Sequence, residues 1–390
     1  MLLFAPMKEI RQILRHLRAA PILCALVTWA NAAVASDSCL KDLEVIPPFL
    51  LENDTGAKDE LAALGQAHFD AAMAKAREGA AEAGDVASCD KVLNGYLKAW
   101  RKGHLWVDDV QPAPANGSPE ATEANLKTSR LPTIKLLSKK TALLTIPTFA
   151  GQYRDALVKL LAQQHRQLAM RANWIIDVRD NDGGDDTTFY PLLPWLMADE
   201  QEQVGAAWLV TAANIEGQAK ACALFAPGDK DCEESVAEAV KRMQAAPSGS
   251  YVQMEDGPPI HFLRTEKLEP HRPGRVAVMI DSHCGSSCEE FLLAVRQSFT
   301  VKLIGRRSHG SLDYSNLRPR LLPSGQRMLM YAISRTNRLP GLPVDVAGIQ
   351  PDILLPDPSD KKAREDEVLQ VQRWLEGGSL APSTAGGAAK

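Results

Sequence analysis

Apolar residues follow two different patterns on either side of residue 140. Over residues 36–109, apolar and small residues recur at helical spacing, as in ELAALGQAHFDAAMAKAREGAAEA, among strong helix formers. From about residue 140, short apolar runs such as ALLTIP, WIIDVRD, RVAVMID and VKLIG alternate with longer amphipathic stretches such as QYRDALVKLLAQQHRQLAMR. This alternation predicts an α/β fold that follows a helical N-terminal region.

Turn-forming residues suggest where these regions end. Residues 110–139 contain a stretch of Pro, Asn, Gly and Ser, which predicts a linker. The α/β core is predicted to span residues 140–360, with residues 212–260 resembling an insertion. Residues 361–390 are predicted to end a helix and continue as a disordered tail, because GGSLAPSTAGGAAK is low in complexity.

The first 35 residues have the pattern of a secretory signal peptide. A basic leader precedes the short apolar run AAPILCALVTWA, and small residues follow, so cleavage is expected after Ala35. An uncleaved membrane anchor is the alternative, although the apolar run is short for a span. The mature protein is therefore expected to be periplasmic or secreted, with no stable membrane insertion after cleavage.

Charge and cysteine content narrow the class further. The chain has a net charge of −4 and no basic stripe, which argues against nucleic-acid binding. Six cysteines would remain after signal cleavage, and an even number in an exported protein suggests disulfides. Proximity favours two short-range pairs and leaves a third, although fifteen connectivities are possible. The pairs are Cys222–Cys232, Cys284–Cys288 and Cys39–Cys89.

The stretch HCGSSCEEF, residues 283–291, is the first candidate for chemistry. Ser286 and Ser287 lie between a predicted strand and a predicted helix, and glutamates follow each at capping-box spacing. A helix cap alone would explain one of the serines. A serine at a helix N-terminus can also act as a nucleophile, because the free N–H of Cys288 can receive an oxyanion.

A serine nucleophile needs a base, and spacing alone leaves His104, His283 and His309 as candidates. The segment DVRDNDGGDD, residues 177–186, is a second candidate site, since its two glycines allow close approach of the backbone to a ligand. It can equally be a simple strand-to-helix turn. Its acidic residues lack the spacing and terminal glutamate of a calcium loop. The cysteines elsewhere in the chain are not spaced as zinc ligands.

Five segments in order resemble the S41 serine peptidases, the family of C-terminal processing proteases, and most closely its histidine-using, tricorn-like branch. In this chain SSCEEF resembles the family segment that carries the nucleophile. The four other segments of this chain that resemble family motifs are RKGHLWV, IIDVRDNDGGDD, GRRSHGSLDYSN and VDVAGIQPDI. The resemblance covers roughly residues 90–356. It implies a crotonase-like α/β core of stacked strand–helix units, with no room for an inserted PDZ domain.

The resemblance assigns roles residue by residue. Ser287, rather than Ser286, matches the nucleophile, because Glu290 then matches the glutamate three residues later. His104 matches the base, and Asp345 matches the acidic residue that supports it. Gly183 and Cys288 match the two N–H donors of the oxyanion hole.

Four positions depart from the family pattern, one of which is Ser308 in place of a threonine. Ser311 stands near the lysine of the lysine-using branch, so a lysine dyad is not expected. Gly103 replaces the serine that precedes the histidine in the tricorn-like tetrad. Asp345 replaces a glutamate and is one methylene shorter.

The sequence therefore predicts an exported serine endopeptidase that acts on protein or peptide substrates and needs no metal or organic cofactor. A non-catalytic ligand- or peptide-binding protein on the same fold is the main alternative, since fold does not fix function. An esterase is a third reading, although Gly-x-Ser-x-Gly is absent from the chain. Oligomeric state is left open.

Overall fold

The protein is represented by a computed structural model that describes residues 20–110, 128–197, 200–254, 256–264 and 267–380. Residues 1–19 of the expected signal peptide and residues 381–390 of the expected tail lie outside this part of the chain.

Four helices form the N-terminal region. They are α1 (Ala20–Asn53), α2 (Ala57–Leu64), α3 (Gln66–Glu82) and α4 (Val86–Trp100). Their facing sides bury a cluster that includes Leu43, Leu50, Phe69, Leu93 and Leu97. The helical periodicity in the sequence thus corresponds to a packed apolar face.

A six-stranded sheet forms the centre of the molecule, in the order β13-β10-β9-β4-β3-β2. Only β2 runs antiparallel to its neighbour, and the other pairs are parallel. The short apolar runs of the sequence become these inner strands. The strands are β2 (Thr133–Leu136), β3 (Thr141–Thr145), β4 (Asn173–Asp177), β9 (Arg275–Ile280), β10 (Val301–Gly305) and β13 (Ile353–Leu354).

A second sheet joins the helical region to the core. In it β12 (Arg327–Thr336) pairs with β1 (Trp106–Asp109), β11 (Tyr314–Leu321) and β6 (Ala206–Leu209), and β6 pairs with β7 (Tyr251–Gln253). The sheet packs on the N-terminal helices through residues such as Leu329 and Tyr331. A separate two-stranded ribbon contains β5 (Glu200–Val204) and β8 (Ile260–Arg264).

Helices cover both faces of the central sheet. One face packs on α5 (Arg154–Ala169) and α10 (Ser287–Val295), and the other packs on α11 (Lys361–Leu375). Burial on both faces explains why the strands read as unbroken apolar runs. The remaining helices are α6 (Leu193–Leu196), α7 (Ala212–Ala219), α8 (Ala221–Phe225) and α9 (Lys230–Ala245).

The predicted α/β fold with a helical N-terminal region is confirmed by these elements. The apolar stretch FYPLLPWLM divides into a 3-10 turn at Tyr190–Leu192 and the single turn of α6. Across the described ranges, no helix has both the length and the apolar character required to cross a membrane.

The two cysteine pairs that proximity favoured, and the third pair that remained, are disulfides in the structure. Cys39–Cys89 joins α1 to α4, and Cys222–Cys232 joins α8 to α9. Cys284–Cys288 closes the turn that leads from β9 into α10, with the Cα atoms 5.3 Å apart. The Cys284–Cys288 disulfide therefore borders the predicted nucleophile, Ser287.

Candidate active site

Ser287 is the first residue of α10, and its side chain is buried. The turn before it is sharp, since Ser286 has a φ of 56°, in the left-handed region that non-glycine residues seldom adopt. The neighbouring disulfide and the start of α10 hold both sides of this residue. Strain of this kind persists where the surroundings fix the backbone, and it is common at functional sites.

Glu289 is the buried centre of the hydrogen bonds around this turn. Its carboxylate accepts the N–H of Gly310 at 2.7 Å and of Ser311 at 2.9 Å, and also a longer bond from the N–H of Ser286 at 3.3 Å. The hydroxyl of Ser308 donates to the same carboxylate. Charge-assisted bonds of this kind fix the 308–311 loop against the start of α10.

His104 follows α4 and precedes β1. Its Nδ1 lies 2.6 Å from the carbonyl oxygen of Tyr314. A carbonyl can only accept, so Nδ1 carries the proton and Nε2 is the acceptor. The pKa of His104 is lowered to about 4, mainly by burial and also by the nearby guanidinium of Arg101, against the opposing effect of the Tyr314 bond. The imidazole is therefore neutral at pH 7, as a general base must be.

A chain of close contacts connects the His104 segment to the nucleophile turn. A Cβ at Gly103 would lie 2.9 Å from Cβ of Ser311, and a Cβ at Gly285 would lie 3.0 Å from Oγ of Ser311. The N–H of Ser286 donates to the Ser311 carbonyl at 3.2 Å. The described hydrogen bonds include none between His104 and Ser287, and both residues line one cleft.

The other two candidate bases lie in more exposed positions. His309 is exposed, with Nδ1 2.9 Å from the hydroxyl of Ser311. His283 is also exposed, and its Nδ1 lies 3.6 Å from a carboxylate oxygen of Asp281. Only His104 combines burial with a hydrogen bond that fixes its tautomer.

The Gly-Gly turn lies directly against the nucleophile turn. A Cβ at Gly183 would lie 2.6 Å from the Gly285 carbonyl and 3.1 Å from the Ser287 nitrogen, so glycine is required there. The N–H of Gly183 donates to Oδ1 of Asn181 at 2.9 Å, and the N–H of Cys288 donates to the Gly285 carbonyl at 3.0 Å. Both expected oxyanion donors are thus close to Ser287 but engaged within their own loops.

Asp345 supports the site through backbone contacts. Its Oδ1 accepts the N–H of Leu312 at 2.5 Å and of Asp313 at 2.7 Å, immediately before Tyr314. Asp313 in turn accepts the N–H of Val344 and of Asp345. Burial raises the pKa of Asp345 to about 6. The two aspartates therefore lock the loop whose next carbonyl holds His104.

Asp186 is a neighbour of the nucleophile that sequence reasoning missed. Burial raises its pKa to about 7, the Glu290 carboxylate adds to this effect, and a hydrogen bond from Ser287 opposes it. Glu290 accepts a hydrogen bond from Arg338 at 3.0 Å. The only available signal was the run of aspartates after the two glycines, and its pattern does not indicate which one faces Ser287.

One group of possible metal ligands is present in the described ranges, formed by Asp180, Asp281 and His283. The guanidinium of Arg364 already bridges the two carboxylates, at 2.6 Å from Asp180 and 2.9 Å from Asp281. A cation thus already occupies the space between these oxygens, which disfavours a second one.

The candidate active site lies along a cleft of about 2650 Å³. It is lined by His104, Gly183, Asp186 and Ser287, and it continues along β11 to Arg318. A buried serine, a neutral histidine and nearby backbone donors in one cleft are the elements of a serine hydrolase.

Comparison with known proteins identifies the family. The model of peptidase family S41 matches residues 140–355, more than half of the chain, so the chain belongs to this family. His104 lies before the matched segment. No curated protein sequence matches the chain.

Solved structures share the fold at low sequence identity. A putative peptidase from Parabacteroides merdae ATCC 43184 is 14% identical, with a TM-score of 0.53, over 87% of this chain and 96% of that chain. Mature CPAF is 10% identical, with a TM-score of 0.57, over 89% of this chain and 99% of that chain. These similarities cover a larger share of this chain than the matched segment does.

Proposed function

We propose that the protein is an exported serine endopeptidase that hydrolyses peptide bonds in protein or peptide substrates, with Ser287 as the nucleophile and His104 as the general base. Membership of peptidase family S41 supports peptide hydrolysis. The observation that carries the residue assignment is the neutral His104, held by Tyr314 in the same cleft as Ser287.

In this mechanism Nε2 of His104 takes the proton of the Ser287 hydroxyl as the oxygen attacks the scissile carbonyl. The N–H groups of Gly183 and Cys288 stabilise the oxyanion, for which they must leave Asn181 and Gly285. His104 then gives its proton to the leaving amine, and water releases the acyl group by the reverse sequence. Asp345 acts as a positioning residue, because it fixes the backbone that precedes Tyr314.

Export is proposed on two grounds. The basic and apolar leader has the signal-peptide pattern. Three disulfides in one chain are typical of an oxidising compartment, such as the periplasm or the extracellular space.

One observation favours the alternative of a binding protein without turnover. Both oxyanion donors are engaged within their own loops, and the hydroxyl of Ser287 interacts with Asp186. A protein that keeps this arrangement when a peptide is bound would hold the peptide without cutting it.

Labelling with a fluorophosphonate probe separates these functions, alongside hydrolysis of denatured casein. Wild type and Ser286→Ala are expected to label and to cleave, whereas Ser287→Ala should do neither while keeping its melting temperature. Ser286→Ala is the matched control, since it removes the adjacent hydroxyl. An unlabelled but folded wild type would support the binding protein, and labelling of Ser287→Ala would refute the assignment of the nucleophile.

A further inference from the structure

Arg318 is a buried cation without a carboxylate partner. Its residue is 5% exposed, on β11 at the wall of the active-site cleft. Within the described part of the chain, no Asp or Glu forms an ion pair with it, and its Nε has no hydrogen-bond partner. Buried charges are otherwise paired in proteins, because an unpaired one has lost its hydration without compensation.

The surroundings hold the guanidinium without neutralising it. Nη1 donates to the Leu317 carbonyl at 2.6 Å, and Nη2 donates to the side-chain oxygen of Gln218. The guanidinium carbon lies 5.7 Å from the ring centroid of Trp208. A guanidinium has five N–H donors, so three are left after these two bonds. Burial lowers the pKa of Arg318 to about 10, which still leaves it charged at pH 7.

The neighbouring helix is shaped around this side chain. A Cβ at Gly217 on α7 would lie 3.1 Å from Cβ and 3.2 Å from Cγ of Arg318. Glycine at this position therefore lets α7 pack tightly on the stem of the arginine. The site consists of Gly217, Gln218, Trp208 and Arg318, and the last three line the cleft.

Arg318 lies on the same strand, β11, as the residue whose carbonyl holds His104. Tyr314, whose carbonyl holds His104, precedes it by four positions, and residues 315–318 all line the cleft. A strand advances by roughly 3.3 Å per residue, so the separation is on the order of 13 Å. An extended peptide spans that distance with about three to four residues.

We infer that Arg318 is a specificity-determining residue, which receives a substrate carboxylate about three to four residues from the scissile bond. A carboxylate supplies the missing counter-charge and accepts charge-assisted hydrogen bonds in the geometry that arginine favours. The carboxylate can belong to an acidic side chain or to the C-terminus of the peptide. This inference rests on the proposed function for the meaning of the scissile bond, but the charge pairing does not require turnover.

The test measures binding in the absence of cleavage. Full-length Ser287→Ala protein is titrated with fluorescein-labelled dodecapeptides that carry a single Glu or the matching Gln at successive positions, each with a free or an amidated C-terminus. We expect one register to bind at least about tenfold more tightly with the carboxylate than without it, as a charged hydrogen bond predicts. Preference for an internal Glu identifies a side-chain carboxylate, and preference for the free terminus identifies a C-terminal one.

The titration is repeated with Arg318→Gln added to the Ser287→Ala protein, and this variant should lose the preference for a carboxylate. Arg318→Lys should keep only part of that preference. Arg320→Gln is the matched control, because Arg320 is exposed, lies on the same strand and carries the same charge. A carboxylate preference that survives in Arg318→Gln overturns the inference, as does its absence in the parent protein.

Thermal unfolding distinguishes recognition from a structural role. Removal of an uncompensated buried cation should leave the melting temperature of Arg318→Gln unchanged or higher. A large decrease together with equal loss of binding for all peptides would overturn the inference. If wild type fails to label with the fluorophosphonate probe while the Arg318-dependent preference remains, the peptidase proposal fails and the carboxylate site stands.

Discussion

At the scale of single residues, glycines and carboxylates restrict the backbone conformation of the candidate site. Gly103 has a φ of 91°, and a side chain there would meet Ser311. This contact gives a physical reason why the chain cannot carry the tetrad serine of tricorn-like proteases at residue 103. The absence of a side chain at residue 103 thus allows the two loops to approach each other closely.

Gly103→Ser should therefore impair the site rather than complete it. We expect hydrolysis to fall by more than tenfold and the melting temperature to drop, because both the backbone strain and the clash with Ser311 must be relieved. Gly65→Ser is the matched control: Gly65 has a φ of 80° but no atom within 4 Å of the added Cβ. It carries only the backbone cost, about 1–3 kcal/mol, because its ψ of 156° lies in a region that is essentially restricted to glycine. Increased turnover in Gly103→Ser would contradict this account.

Asp345 offers a test of positioning through the backbone. Asp345→Asn keeps an oxygen that can accept from Leu312 and Asp313, whereas Asp345→Ala removes it. We expect kcat to remain within about tenfold of wild type in the first variant and to fall by about a hundredfold or more in the second, with KM changing little. Steady-state kinetics at pH 8, above the raised pKa, provides the comparison. Equal losses in both variants would instead indicate that the charge of Asp345 acts on His104.

At the scale of elements, the turn between β9 and α10 is closed by a disulfide of its own, in addition to its hydrogen bonds to the 308–311 loop. The disulfide Cys284–Cys288 closes a loop of only four residues, so its entropic contribution to stability is small, about 2 kcal/mol. The disulfide Cys39–Cys89 spans 50 residues and contributes about 4 kcal/mol by the same estimate. The two disulfides therefore differ in how much they are expected to stabilise the fold.

Removal of each bridge should separate activity from stability. The double variant Cys284→Ala/Cys288→Ala is expected to lose most of its turnover with a small decrease in melting temperature. Cys39→Ala/Cys89→Ala should show the opposite, with a large decrease in melting temperature and near-normal turnover at low temperature. Active-site titration with the fluorophosphonate probe corrects for the folded fraction. Full turnover without the Cys284–Cys288 bridge would show that it does not shape the nucleophile turn.

Elements were more predictable than the contacts between them. The runs that form β3, β4, β9 and β10 are buried on both faces, so their apolar character shows directly in the sequence. The crowded position of Gly103 and the unpaired charge of Arg318 depend on residues more than 90 positions away. Local sequence carries no trace of such distant contacts, and the aspartate near Ser287 was missed for the same reason.

At the scale of the whole molecule, two units supply the chemistry. The proposed base, His104, follows the helical N-terminal region, and the proposed nucleophile, Ser287, belongs to the α/β core. A buried ion pair between Arg101 and Asp54 holds the base segment, since the Arg101 guanidinium also donates to the His104 carbonyl at 3.2 Å. Asp54 in turn accepts the N–H of Ala332 at 3.1 Å in β12, so the second sheet takes part in this support.

Arg101→Met should consequently weaken both folding and turnover. It leaves the Asp54 charge buried and unpaired, which costs about 3–5 kcal/mol. Arg77→Met is the matched control, because Arg77 pairs with Glu44 on the surface, where such a pair contributes about 0–1 kcal/mol. Urea unfolding and casein hydrolysis under native conditions give the two readings. A stable, fully active Arg101→Met protein would exclude this support of the base.

The close approach of Gly103 and Ser311 joins two segments that are distant in the sequence. The proposed peptidase activity therefore requires completed folding. During synthesis His104 emerges from the ribosome well before Ser287, and the 308–345 segment, which contains Ser311, emerges later still. A chain that is nascent, or in transit across a membrane in unfolded form, has all of its reactive groups but no assembled site. In the proposed mechanism proteolysis begins only when the two halves have packed, so the unfolded chain does not cut other proteins of the cell that makes it.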